Sequence, residues 1–209
     1  EAMTYSEGYL RKWRGHPLIT PAVAPHAPYT VSEEHLKEVR ALSDRLNSAV
    51  VIHVSETRRE VEDITKQKGV PPVEYLARIG FLSPRTVAAH TVHVNAAEIA
   101  LLKRHGVGSV HNPESNMKLA SGVAPVPRVL GEGVLVGLGT DGAASNNDLS
   151  MWEAMDAAAK LHKLSSNDPR VLPAEDALAL ATIGGARALH LGRDIGSLEA
   201  GKRGDLGVG

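Results

Sequence analysis

The sequence predicts an α/β protein of parallel strands, with the architecture of a β/α barrel. Three observations carry this. First, five apolar runs of strand composition each end on a histidine or an aspartate: LITPAVAPHAP (His26), SAVVIHVSE (His53, with Glu56), RTVAAHTVH (His90), GVGSVHNPES (His111) and GVLVGLGTDG (Asp141). Second, helix-like sequence separates most of the runs. Their terminal residues lie 27, 37, 21 and 30 residues apart, long enough for the crossover helix that a parallel pair requires. Third, there is no GxGxxG or GxxxxGK segment, which a doubly wound sheet usually carries after an early strand. Barrel enzymes build their sites at the C-terminal ends of the strands, where these residues fall.

The elements follow in order. A short helix or loop covers 6–14, and 18–24 reads as a buried strand, after which Pro25 and Pro28 frame a loop holding His26. Thr30 and Ser32 are candidate caps for a helix over 33–46, whose Leu36, Val39, Leu42 and Leu46 recur at helical spacing. A second strand covers 49–54. A charged helix follows over 57–68, ended by Gly69 and the Pro71-Pro72 pair, and a shorter helix covers 73–79. The third strand is 86–89, the next helix 96–105 behind an Asn95 cap, and the fourth strand 107–110. HNPESN reads as a structural loop, because Pro113 forces a turn. A short helix over 124–131, a fifth strand over 134–139, a helix from a Ser150/Glu153 capping box to about 164, and a helix from Pro173 through Ala188 complete the pattern. Residues 195–208 read as extended. Residues 1–194 form a partial barrel carrying the site, and 195–209 a separate C-terminal stub.

Composition excludes several classes of function. The 209 residues carry 23 basic and 24 acidic side chains, a net charge of -1, so no electrostatic footprint for nucleic acid or an anionic membrane is present. Aromatics are 3%, too few for a base-stacking surface. No apolar stretch reaches transmembrane length. With no cysteine, disulfides and thiolate metal sites are ruled out, and a reduced cytoplasmic setting is compatible with that. The expected partner is a small-molecule substrate.

His53 and Asp141 are the leading metal-ligand candidates, since an imidazole nitrogen and a carboxylate oxygen suit zinc or another divalent first-row ion. Glu56, three residues past His53, can fold back over the same opening and move protons; from spacing alone, a solvated Glu favoured by a helix dipole explains it equally well. His90 and His93 face opposite sides of an extended strand, which makes His90 the inward candidate and His93 a loop residue. For His111 a structural role is favoured, and His16, His35, His105, His162 and His190 receive no function. Gly139 and Gly142 give the Asp141 segment a tight path.

Taken together, APHAPYT, HVSET, AAHTVH, HNPESNMKLASG and LGTDGAASNN resemble the metal-dependent amidohydrolase superfamily. They look closest to its deaminases of 5-methylthioadenosine and S-adenosylhomocysteine, near the triazine and chlorohydrolase-type members. The resemblance runs from about Gly15 to Leu206. It implies a (β/α)8 barrel joined to a small β-sandwich, with GSLEAGKRGDL returning the chain to the sandwich. It further implies one divalent metal, zinc first, with iron or manganese as alternatives. His53 and Asp141 would be metal ligands and His90 would lie beside the metal-bound water. His26, Glu56 and Asp141 would contact substrate, with Glu56 and Asp141 also moving protons.

The chain departs from that family pattern in one large respect. The His-x-His pair that supplies two further ligands on the first barrel strand occurs nowhere in it, and Gly204 stands where family members usually carry Ala. The chain therefore reads as the C-terminal part of an amidohydrolase. Two alternatives stand beside adenine-nucleoside deamination: another leaving group or ring, as in guanine or triazine hydrolysis, and an inert fragment. Open strand edges would favour association with another copy, a homodimer being the simplest form.

Overall fold

The computed structural model describes residues 2–204. Its centre is a five-stranded parallel sheet: β1 (Ala22–Val23), β2 (Ala49–Val54), β3 (Thr86–His90), β4 (Gly108–His111) and β5 (Leu135–Leu138). The strands are ordered β1-β2-β3-β4-β5, each hydrogen-bonded in parallel to the next in sequence. A doubly wound sheet reverses direction at a switch point. This sheet never does, so the winding is that of a barrel, as the strand-end pattern predicted.

Around the sheet lie α1 (Ala2–Trp13), α2 (Glu33–Leu46), α3 (Arg58–Lys68), α4 (Pro72–Arg78), α5 (Ala96–Arg104), α6 (Pro113–Lys118), α7 (Val126–Gly131), α8 (Met151–Ser166), α9 (Ala174–Ala179) and α10 (Gly185–Ala188). The long helices form where periodicity and capping agree. Ser32 accepts from the His35 amide at the start of α2, Asn47 closes it in the left-handed conformation, and Leu36, Val39, Leu42 and Leu46 are all buried. Asn95 and Glu98 make a reciprocal capping box on α5. In β2 the burial alternates, with Val50, Ile52 and Val54 in the core and Ala49, Val51 and His53 half-buried. One face is thus covered by helices, and the other carries His53. Each fully buried Leu or Ile in this core contributes about 1.5–3 kcal/mol.

Four expectations are corrected. The strand expected over 18–24 shrinks to Ala22–Val23, because Pro17, Pro21 and Pro25 lack the N–H that a ladder needs. HNPESN is a helical turn, α6, with Pro113 preset for the first helical position. Ser150 caps α8 through Glu153, but its own amide bonds Asp148 Oδ1 at 2.7 Å, so the reciprocal half of the box is not made. The helix expected over 173–188 contains a π-helical segment, Leu180–Gly184, between α9 and α10. That wider turn sets α10 directly on the sheet. A Cβ on Gly108 would lie 1.9 Å from the Ala188 carbonyl oxygen, and one on Gly137 would lie 2.6 Å from Gly185 Cα.

Residues 195–204 contain turns and no strand; the rest of the segment expected to be extended lies outside the described residues. Among the described residues, no helix is long and apolar enough to cross a membrane.

Candidate active site

The ends of β2 and β3 and the loops after β1 and β5 converge on one opening. His53 is the fifth residue of β2, registered against Ala89, and Val54 is registered against His90. The His53 amide donates to the His26 carbonyl at 3.1 Å, and its ring Nδ1 meets the same carbonyl at 2.7 Å. With Nδ1–H engaged on a backbone oxygen, the Nε2 lone pair is left to face the opening. This is the arrangement by which proteins orient a metal-binding imidazole. His26 therefore acts on this ring through its backbone. Its own ring is exposed, bonds Thr30 Oγ1 at 2.8 Å and lies 5.1 Å from the His53 ring.

His90 is 1% exposed, with its ring stacked 5.4 Å from that of His53. Nδ1 lies 2.9 Å from Asn116 Oδ1. Nε2 points between two carboxylates, 3.7 Å from Glu56 Oε2 and 3.9 Å from Asp141 Oδ2. Asp141 Oδ2 accepts from Ser115 and Ser145, each at 2.8 Å. Burial alone would push the Asp141 carboxyl up; the Ser115 and Ser145 hydroxyls, the Gly142 amide and nearby His90 more than offset it and hold the group below the usual carboxylate value.

Glu56 accepts from Ser121 Oγ at 3.2 Å, and the Ser121 carbonyl is in turn bonded by His93 Nε2 at 2.6 Å. The turn carrying Glu56 is fixed by a second acid. Buried Glu60 accepts from the Ser55 amide at 2.8 Å and the Glu56 amide at 2.7 Å. Burial raises the Glu60 carboxyl above its ordinary value, against the opposing effect of those backbone bonds.

One imidazole nitrogen each of His53 and His90 and one oxygen of Asp141 lie within 4.8 Å of one another. Ligands bound about 2.0–2.2 Å from one tetrahedral zinc ion lie about 3.3–3.6 Å apart, so side chains at the 4.8 Å limit would draw together by about 1 Å to share one ion. The His53 imidazole and an Asp141 carboxylate held below its usual pKa offer nitrogen and oxygen donors to a divalent first-row cation, with the His90 ring beside them. The residues present therefore fit the implied metal.

Of the sequence-derived candidates, His53, Glu56, His90 and Asp141 share this opening, and His26 borders it. His111 does not join them: its ring packs against His162 on α8, with the two Nε2 atoms 3.1 Å apart and both rings 1% exposed. Sequence reasoning passed over Glu60, Ser121 and His162, and took Ser115 and Asn116 only as part of the HNPESN loop. The signal for the last pair was the HNPESN segment itself, since a proline at a helix start followed by Ser and Asn places two polar side chains on one turn.

The chain matches the family model described as the amidohydrolase family over residues 2–208. It is 49% identical over 209 residues to a 5-methylthioadenosine/S-adenosylhomocysteine deaminase of Syntrophomonas wolfei, covering 99% of this chain and 48% of that one. It is 52% identical over 188 residues to a 5'-deoxyadenosine deaminase of Methanothermobacter thermautotrophicus, covering 90% of this chain and 44% of that one. The fold is also that of an adenosine deaminase from Xanthomonas campestris solved with bound zinc, with a TM-score of 0.93 and 44% identity over 97% of this chain and 46% of that one. The chain thus spans about half the length of each relative it matches. A family model matched almost end to end, relatives near one-half identical and a shared sheet winding together show that the chain belongs to the amidohydrolase family.

Proposed function

We propose that this chain carries the hydrolytic side of a deaminase site for adenine-type nucleosides, the class to which 5-methylthioadenosine and S-adenosylhomocysteine belong. The observation behind the reading is the convergence of His53, His90 and Asp141 within 4.8 Å, with Glu56 Oε2 3.7 Å from His90. The relatives' names give the substrate class.

His53 Nε2 and Asp141 would hold the cation, with zinc the first choice. When bound, such an ion brings the pKa of a water near ~7, so that hydroxide is available at neutral pH. Asp141, ionised in this setting, accepts a proton from the attacking water. His90 offers Nε2 to the same space and orients that water. Glu56 delivers a proton to the ring nitrogen beside the amino-bearing carbon, and its carboxyl is aimed by the Ser121 hydroxyl. The proton taken by Asp141 leaves on the departing amine as the C–N bond breaks, and the second water proton returns to the Glu56 carboxylate as the new carbonyl forms, so water and the aminopurine become ammonia and the oxopurine. His26, at the rim, contacts the substrate.

The test is a substrate panel on the zinc-loaded protein: 5-methylthioadenosine, S-adenosylhomocysteine, adenosine, guanine and a chlorotriazine, scored by ammonia or chloride release. Ammonia from the adenine nucleosides, abolished by Asp141→Asn, is the expected result. Release from guanine or the triazine alone would move the site to those substrates. Absence of both zinc uptake and turnover would make the chain a non-catalytic unit.

A further inference from the structure

The feature that the proposed chemistry leaves unexplained is Asn116. Its side chain is wholly buried on α6, a turn already held by Pro113. Its Nδ2 finds no hydrogen-bond partner. A buried amide that leaves a donor unsatisfied is destabilising, and an apolar side chain of similar shape would avoid that cost. The one bond its side chain does make with good geometry is the 2.9 Å contact of Oδ1 with His90 Nδ1. Asn112 Nδ2 approaches the same nitrogen only at 3.4 Å.

We propose that Asn116 is a positioning residue that fixes His90 as the tautomer protonated on Nδ1, so that the Nε2 lone pair faces the site. An amide oxygen accepts and cannot donate, so the partner nitrogen must carry the proton. The other ring nitrogen is then the acceptor, and which nitrogen is free is set by the bond the first one makes. In water, imidazole prefers the opposite arrangement, with the proton on the nitrogen far from the main chain. That would place an N–H between Glu56 and Asp141 and leave no lone pair for a water or a metal. The neighbouring Ser115 holds Asp141 Oδ2, so one helical turn sets both the proton-accepting carboxylate after β5 and the water-orienting imidazole at the end of β3. The importance of the tautomer for turnover rests on the hydrolytic reading above; the tautomer itself does not.

The experiment is a long-range 1H–15N spectrum of the histidine rings in the uniformly labelled protein, with and without zinc, the His90 signals being identified by their loss in His90→Gln. The expected pattern for His90 in the zinc-free protein is a protonated Nδ1 and an unprotonated Nε2. Asn116→Asp keeps the acceptor and should preserve the pattern. Asn116→Leu removes it and should yield an Nε2–H or mixed pattern, with turnover on the nucleosides lowered about 10- to 100-fold at little change in KM. An Nε2–H pattern in the unaltered protein overturns the proposal, and so does an unchanged Nδ1–H pattern in Asn116→Leu. If Asn116→Leu fails to fold, the unaltered protein and Asn116→Asp still decide. A protein that shows the expected tautomer but deaminates nothing would leave this inference standing and remove the hydrolytic one.

Discussion

The buried pair His111–His162 makes the stability of this protein depend steeply on pH. Burial pushes the His111 imidazole down to about 3, with the neighbouring His162 and His90 adding to the effect, and burial pushes His162 down to about 4. Both rings are therefore neutral in the folded state at pH 5, one Nε2–H donating to the other ring across 3.1 Å. In the unfolded chain both titrate near ~6.5. The unfolded state binds more protons between about pH 6.5 and pH 4, so stability falls as pH falls through that window. Between pH 8 and pH 5 each ring should cost about 2 kcal/mol, about 4 kcal/mol for the pair. Nearly all of that arises from proton uptake by the unfolded chain, because the folded values lie at or below about 4. Against a typical total of about 5–15 kcal/mol, this is a large share. Urea denaturation at pH 8 and pH 5, for the protein and for His162→Gln, measures it. The substitution should remove about half of the pH-dependent loss, whatever it does to stability at pH 8. Identical pH dependence in the two proteins would refute the reasoning.

Two further outcomes follow from the same geometry. Ser115→Ala removes one of two hydroxyls on Asp141 Oδ2, and should weaken zinc binding about 10- to 100-fold while leaving the circular dichroism spectrum unchanged; affinity is read by competition with a chromophoric chelator. Gly108→Ala places a methyl group on the Ala188 carbonyl. Backbone cannot yield as a flexible side chain can, so the expected loss is at or above the usual overpacking range of about 1–3 kcal/mol, visible as a lower urea midpoint.

The parts of the fold that were legible in the sequence are those where local and global preferences agree. The α2 helix has its cap, its charges and its apolar stripe in one stretch, and it forms as read. The β2 strand is bounded, β-branched and long enough to alternate. Where the reading failed, a backbone constraint overrode composition: three prolines shorten β1, and a six-residue helix is too short for periodicity to reveal α6. The site divides in the same way. His53 and Asp141 could be chosen because each ends an apolar run. That Asn116 meets His90, that Ser121 meets Glu56, and that His162 on a helix meets His111 on a strand are facts about residues 26, 65 and 51 positions apart. No local pattern encodes such pairs; the winding of the sheet creates them.

The strand ends carry a cost that local sequence does not show either. Ser55, His90, Thr91 and Asp141 all adopt positive φ, at 55°, 73°, 45° and 64°. None is glycine, and each such residue is strained by about 1–3 kcal/mol. Backbone of this kind persists only where surrounding contacts over-determine it. Here every strained end has its own clamp: the Glu60 carboxylate on the Ser55 amide, Asn116 on the His90 ring, the Ser109 hydroxyl 2.7 Å from that of Thr91, and the Ser115 and Ser145 hydroxyls on Asp141. A regular strand would continue its pleat and carry alternate side chains to opposite faces. The left-handed turns break that pleat after β2 and β3 and in the loop after β5, at the points where Glu56, His90 and Asp141 must leave the sheet and meet. The clamps and the strain are therefore two sides of one arrangement, in which buried polar side chains hold the backbone in the conformation that brings an acid, a base and the donor set together.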